Sequence, residues 1–231
     1  MAIDFTNIMQ DKTDYLTEEE INLLLNHCLE QEKIRDYMLI LTLIRTGRRI
    51  SEIVGEKPFT RKVGLRPCDI HPDGLIEFDI LKKNHIKKTT NKGHERDPEV
   101  IKRLRVKKMP KRELKPVDDE YLKYLIEYIN ANGISKKSRV FPITRQRALQ
   151  IIHEVAGACN ITRSRHKIHN HTFRHSYAIA LLKDNPNDAG ILKQVQELLS
   201  HSNIEVTMHY AQFTQYDKKK SLNKLFKNKG R

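Results

Sequence analysis

Between Ile34 and Arg45 the chain reads IRDYMLILTLIR. Met38, Leu39, Ile40, Leu41, Leu43 and Ile44 put apolar groups on most sides of the helix this run predicts. Such a helix leaves no face for water and must be wrapped by other elements. Several amphipathic helices are predicted to do the wrapping. Thr17 followed by Glu20 makes a capping box, and Ile21, Leu24, Leu25 and Cys28 then recur at helical spacing, which predicts a helix over 17–30. Asp118 opens another, with Tyr121, Leu125, Tyr128 and Ile129 on one face and Gly133 as its stop. Thr144 starts the next, with Leu149, Ile152, Val155, Ala156 and Cys159 inward. Thr172 is expected to cap a helix running to about Lys183, and Ile191–Ser200 and Asn203–Thr214 complete the set. Gly47 interrupts the apolar helix, and a short turn restarts near Ser51.

From Val63 to Leu81 the period changes to two. Ile76, Phe78 and Ile80 alternate with polar residues, and Asp73-Gly74 separates GLRPCDI from LIEFDIL, so a hairpin or small three-stranded sheet is expected there. Residues 82–112 are dominated by Lys, Arg, His and Asn. That is long for a connection, and it reads either as a binding loop or as a solvated charged excursion. The expected fold class is mainly α with a small antiparallel β-sheet (α+β). One domain over 14–214 is flanked by an arm, 1–13, and a basic tail, 215–231, with Leu222, Leu225 and Phe226 on one side.

The formal net charge is +14. Such an excess lets a surface displace counterions from a polyanion, although ribosomal and membrane-surface proteins share the property. No run approaches the roughly 18 to 20 apolar residues needed to span a bilayer. The N-terminal stretch lacks the basic-then-apolar pattern of a signal peptide, so the expectation is no membrane and a cytoplasmic location. Cys28, Cys68 and Cys159 form no CxxC pair, and they read as buried small hydrophobes rather than a zinc site or disulfide framework.

Chemistry-bearing residues concentrate in HNHTFRHSYAIALLKDNPNDAGILKQVQELLSHSNIEVTMHY, residues 169–210. His171 and Arg174 are three apart and share a helix face. A guanidinium fork suits phosphate oxygens, and an imidazole trades protons near neutrality. One HxxR pair carries little weight alone. Its context changes that.

Here the chain resembles the tyrosine recombinase (integrase) family. The family's TGxRxSE motif is matched by Thr46-Gly47-Arg48-Arg49-Ile50-Ser51-Glu52, which puts the catalytic arginine at Arg49. Its HxxRH motif is matched by His171, Arg174 and His175. Its third motif is matched by Leu198-Leu199-Ser200-His201-Ser202, with Tyr210 nine residues after His201; Ser200 stands where the family usually has glycine. The resemblance implies the tyrosine recombinase catalytic-domain fold and DNA cleavage through a 3'-phosphotyrosine. It implies Tyr210 as nucleophile, Arg49, Arg174 and His201 on the scissile phosphate, and His171 as general base. The general acid would be Lys82, with Lys83 as the alternative and Lys87, Lys88 or Lys92 within possible reach of the longer loop. Glu52 and His175 would support these groups. No metal and no cofactor are implied. The partners implied are double-stranded DNA and further copies of the chain, a dimer to tetramer on DNA, in the service of a mobile element or the nucleoid of a prokaryotic host. Tyr216 is the second choice of nucleophile.

The chain departs from most family members in starting almost at the catalytic domain, since YLTEEEINLLL resembles that domain's usual start. The small fimbrial-switch invertases resemble this arrangement. Competing expectations are a type IB topoisomerase, which relaxes DNA without joining two sites, and a DNA-binding regulator that has lost catalysis. The cluster His166, His169, His171 and His175 also admits a metal site or an HNH-type nuclease, which would need strands around it that the sequence does not signal.

Overall fold

The structure, a computed structural model, describes residues 15–55, 63–81, 97–98, 111–161, 168, 170–184 and 190–200. In chain order the elements are α1 (Glu18–Glu30), α2 (Ile34–Thr46), α3 (Ile50–Val54), a 3-10 turn (Pro67–Asp69), β1 (Leu75–Ile80), β2 (Lys111–Pro116), α4 (Asp119–Ala131), α5 (Arg145–Ala158), α6 (Asn170–Asp184) and α7 (Ile191–Leu199). The chain divides into two compact units, Met1–Arg48 with Leu149–Arg231, and Arg49–Ala148.

The first unit is built around α2. Met38, Leu39, Ile40, Leu41 and Leu43 are all buried, as the apolar run requires. Helices α1 and α6 pack against α2, and α7 packs against α6. The Thr17–Glu20 capping box forms as expected, each side chain bonding the other's backbone N–H. The segment leading into α1 is pinned to α6: the Leu16 amide donates to Ser176 Oγ at 2.8 Å, and the Lys183 ammonium lies 5.5 Å from the Tyr15 ring centroid. Tyr15 joins Ala178, Ile179, Leu182, Ile191, Val195 and Leu199 in one apolar cluster. No helix among the described residues is long and apolar enough to cross a membrane.

Helix α2 ends at Gly47, whose φ of +58° is the left-handed conformation that stops a helix. A Cβ there would stand 2.6 Å from Tyr177 Cδ1 and 2.9 Å from Leu199 Cδ2, so the turn is wedged against α6 and α7. Gly47→Ala is therefore expected to lower folding stability by about 2 kcal/mol, combining backbone strain with the displacement of two packed side chains. A urea midpoint equal to that of the unsubstituted chain would contradict this packing.

The second unit carries the sheet. β1 buries Ile76, Phe78 and Ile80 as the alternation predicts. Its partner, however, is β2, paired antiparallel from Leu75 opposite Pro116 to Ile80 opposite Lys111. The segment before Asp73-Gly74 supplies only the 3-10 turn and a single bridge, Ile70 with Ile76. The expected loop thus ends in a strand, at Lys111, and the expected hairpin across Asp73-Gly74 does not form. The reason lies in what joins the strands. KRELKP has no apolar alternation because Arg112 seats it through carboxylates: its guanidinium pairs with Asp69 and Glu77 and approaches Asp79 at 3.6 Å. Asp69 also takes a fork from Arg66, with bonds of 2.8 and 3.0 Å that raise that guanidinium's pKa.

Helix α4 is capped by Asp118, whose side chain accepts from the Tyr121 amide, and it buries the four expected residues. Tyr128 stacks on Phe141 with centroids 6.0 Å apart. Three expectations are corrected. Only Cys28 is buried; Cys159 is half-buried and Cys68 exposed. Burial, with the Asp36 carboxylate adding to it, pushes the Cys28 thiol up to about 11. Leu149 is half-buried, and Ala148 and Ile151 take the inward positions beside it. Helix α6 begins at Asn170, so Thr172 is not its cap but a buried residue in its first turn, its carbonyl accepting from Ser176 Oγ.

Candidate functional site

The HxxRH residues all lie in the first two turns of α6, and the helix treats them differently. His171 is exposed and His175 half-buried, one turn apart, with ring centroids at 6.3 Å. Phe173 and Arg174 are buried, at 0% and 2% exposure. Upstream, the His153 Nε2 of α5 lies 2.8 Å from the Ile168 carbonyl, which ties the approach to α6 to the helix before it.

A buried guanidinium must find acceptors, because its charge is costly out of water. Arg174 finds backbone carbonyls: Nη1 donates to Gly47 O at 3.0 Å, and Nη2 donates to Leu199 O. One side chain thereby links the Gly47 turn, helix α6 and the end of α7. The three stretches that the sequence singled out as motifs converge at this guanidinium.

The α7 terminus is unusual in its own right. Ser200 is left-handed, at φ 55° and ψ 39°, a conformation that glycine adopts without strain and serine rarely does. Serine thus holds a left-handed stop at a position where glycine would be unstrained. Helix ends leave four carbonyls without intrahelical donors. Here the Ser200 amide serves Gln196 O and Glu197 O, Arg48 Nη2 serves Leu198 O, and Arg174 Nη2 serves Leu199 O. Arg48 is 1% exposed and is among the largest fully buried side chains described. Residue spacing gave no sign of its role, since the motif leaves that position open.

In the second unit, Arg49 precedes α3 and keeps a quarter of its side chain exposed. Glu52, 1% exposed, holds it twice and takes a third donor besides: its carboxylate accepts from Arg49 Nη1 at 2.8 Å, from the Arg49 amide at 3.1 Å and from the Leu81 amide at 3.2 Å. The same carboxylate thus fixes the arginine and the chain leaving β1, one residue before Lys82. Glu52→Gln removes the charge and turns an amide N–H₂ toward at least one of these donors. It is expected to cost about 2 kcal/mol of stability. Chemical denaturation measures this, and a loss below about 0.5 kcal/mol would contradict the three-donor arrangement.

Lys82, Lys83, Lys87, Lys88, Lys92, His201, Tyr210 and Tyr216 lie outside the described residues, as do His166 and His169. The helix expected over Asn203–Thr214 lies outside them too. Among the described residues no group of three or more His, Cys, Asp or Glu side chains is placed to hold a metal ion, and the two described members of the histidine cluster share one helix.

The comparisons with known proteins fit this geometry. The family model described as the phage integrase family matches residues 97–216, just over half of the chain. A tyrosine recombinase of Pseudothermotoga lettingae is 26% identical over 216 residues, covering 92% of this chain and 60% of its own. Among solved structures, the XerH site-specific recombinase bound to palindromic difH substrate, a post-cleavage complex, aligns at a TM-score of 0.59 and 16% identity over 90% of this chain and 52% of its own. The catalytic domain of bacteriophage HP1 integrase aligns at 0.52 and 20% identity over 90% of this chain and 93% of its own. These two share the fold. The chain spans 60 to 62% of the length of the first curated relatives it matches.

Proposed function

The chain belongs to the phage integrase family, and on that premise we propose that it is a site-specific DNA recombinase working through a 3'-phosphotyrosine. The observation that carries the reading is the Arg174 guanidinium, at which carbonyls from the first and third motifs meet a side chain from the second. In the proposed reaction the Tyr210 oxygen attacks the scissile phosphorus as His171 takes its proton. The bond to the 5'-oxygen breaks, and Lys82, or Lys83, supplies that oxygen's proton. Arg49, Arg174 and His201 donate to the non-bridging oxygens, where charge builds in the transition state. The phosphodiester energy stays in the phosphotyrosine, so a 5'-hydroxyl from another strand can reverse the step and rejoin the DNA.

The domain reading follows the same premise: a catalytic domain over 14–214, with an arm before it and a basic tail after it. The chain would act on double-stranded DNA as a dimer or tetramer on paired sites, in the cytoplasm where that DNA lies. The net charge of +14 supports a binding term dominated by phosphate contacts, and so a steep loss of affinity with salt.

The test is a nicked duplex, taken from the DNA element that encodes the chain, incubated in EDTA and resolved on a denaturing gel. The expected result is an SDS-resistant protein–DNA band that accumulates because the nicked fragment diffuses away and blocks rejoining. Salt-sensitive binding with no such band would instead identify a regulator without catalysis. Relaxation of a supercoil with no recombinant product would identify a topoisomerase.

A further inference from the structure

Arg48 occupies a position that the first motif leaves open, and its surroundings give it a specific task. The α7 terminus is buried, with Leu199 at 0% and Ser200 at 9% exposure, so water does not satisfy its carbonyls. It is also the negative end of the helix dipole, where a cation is favoured. Two guanidiniums meet that end. Arg174 donates to Leu199 O, and Arg48 donates to Leu198 O while its own Nε reaches back to Thr46 O at 3.5 Å and its amide bonds Thr46 Oγ1 at 3.3 Å. The two differ in one respect. On the recombinase reading Arg174 must turn donors toward a phosphate when DNA arrives, whereas nothing in that chemistry draws on Arg48.

We propose that Arg48 is a positioning residue for strand cleavage, holding the last turn of α7 independently of Arg174 and so fixing where the chain leaves Ser200, one residue before His201. This rests on the recombinase reading. It goes beyond it in assigning a second, non-contacting arginine to the site. Arg48 touches no phosphate. It lets Arg174 change partners without the α7 end fraying, and it compensates for the left-handed serine that follows that end.

The experiment compares the full chain with Arg48→Met, which keeps the bulk and removes the donors, and Arg48→Lys, which keeps one charged donor. Hydrogen exchange over Lys193–Ser200, single-turnover adduct formation on the nicked duplex, and duplex affinity are measured on all three. For Arg48→Met, exchange at the α7 end should quicken by about tenfold and adduct formation should slow by about tenfold, the loss of one charge-assisted hydrogen bond. Affinity should stay within about twofold, and Arg48→Lys should recover much of both rates. Faster exchange with an unchanged cleavage rate would overturn the proposal by making Arg48 a structural cap only. Unchanged exchange would overturn it by showing that Arg48 does not hold α7. If Arg48→Met fails to fold, Arg48→Gln, which keeps polarity but removes the charge and the guanidinium fork, decides in its place: slowed cleavage with faster α7 exchange supports the proposal, and wild-type values for both overturn it. An unsubstituted chain that forms no adduct would overturn the recombinase reading and the catalytic half of this one, and the exchange data would still decide whether Arg48 holds α7.

Discussion

Arg174→Ala is expected to slow strand cleavage by about a thousandfold and to lower folding stability by about 3 kcal/mol. The first figure is what removing one preorganised donor from a developing oxyanion costs. The second follows from burial: the guanidinium is 2% exposed, and its removal takes a donor from both Gly47 O and Leu199 O inside the first unit. The two effects separate in Arg174→Lys. An ammonium keeps the charge and one bond but not the planar fork that reaches two carbonyls. Most of the stability should return while cleavage stays depressed by about a hundredfold. Stability is read from urea titration and cleavage from single-turnover adduct formation. If Arg174→Lys restored both together, the arginine would be a structural strut and the phosphate-binding role would fall.

Much of the fold was legible because it is written locally. The Thr17–Glu20 box and the Asp118 cap are short patterns with one geometric meaning, and both form. The apolar run over α2 predicted its own burial, and the alternation of Ile76, Phe78 and Ile80 predicted the buried face of β1. What stayed hidden was written in partners far along the chain. Strand β2 carries no periodic signal, since Arg112 seats it on Asp69, Glu77 and Asp79 rather than on apolar neighbours. Thr172 looked like a cap because threonine commonly is one, and only the chain's path into α6 moved the helix start to Asn170.

The site divides in the same way. Motif spacing named Arg49, Glu52, His171, Arg174 and His175. It did not say that Arg174 would be buried and bonded to carbonyls while His171 stayed exposed, because helical periodicity gives the face a residue lies on and not the acceptors a distant turn brings to it. Nor did it distinguish Arg48 from any other filler between motif positions. That role depends on one carbonyl, Leu198 O, which lies 150 residues away along the chain.

Tyr210 is expected to become covalently bound to DNA, and its loss should have the largest effect of any substitution, because no neighbouring oxygen shares its nine-residue spacing from His201. Tyr210→Phe keeps the ring and its packing and deletes only the attacking oxygen. Adduct formation should fall below detection while salt-dependent duplex binding remains, and Tyr216→Phe should cleave normally. The direct measurement is peptide mapping of the adduct that the unsubstituted chain forms on a nicked duplex in EDTA. The predicted result is a nucleotide attached to the peptide containing Tyr210 through its phenolic oxygen; a nucleotide on Tyr216 or on any other residue, or an adduct that persists in Tyr210→Phe, would contradict it.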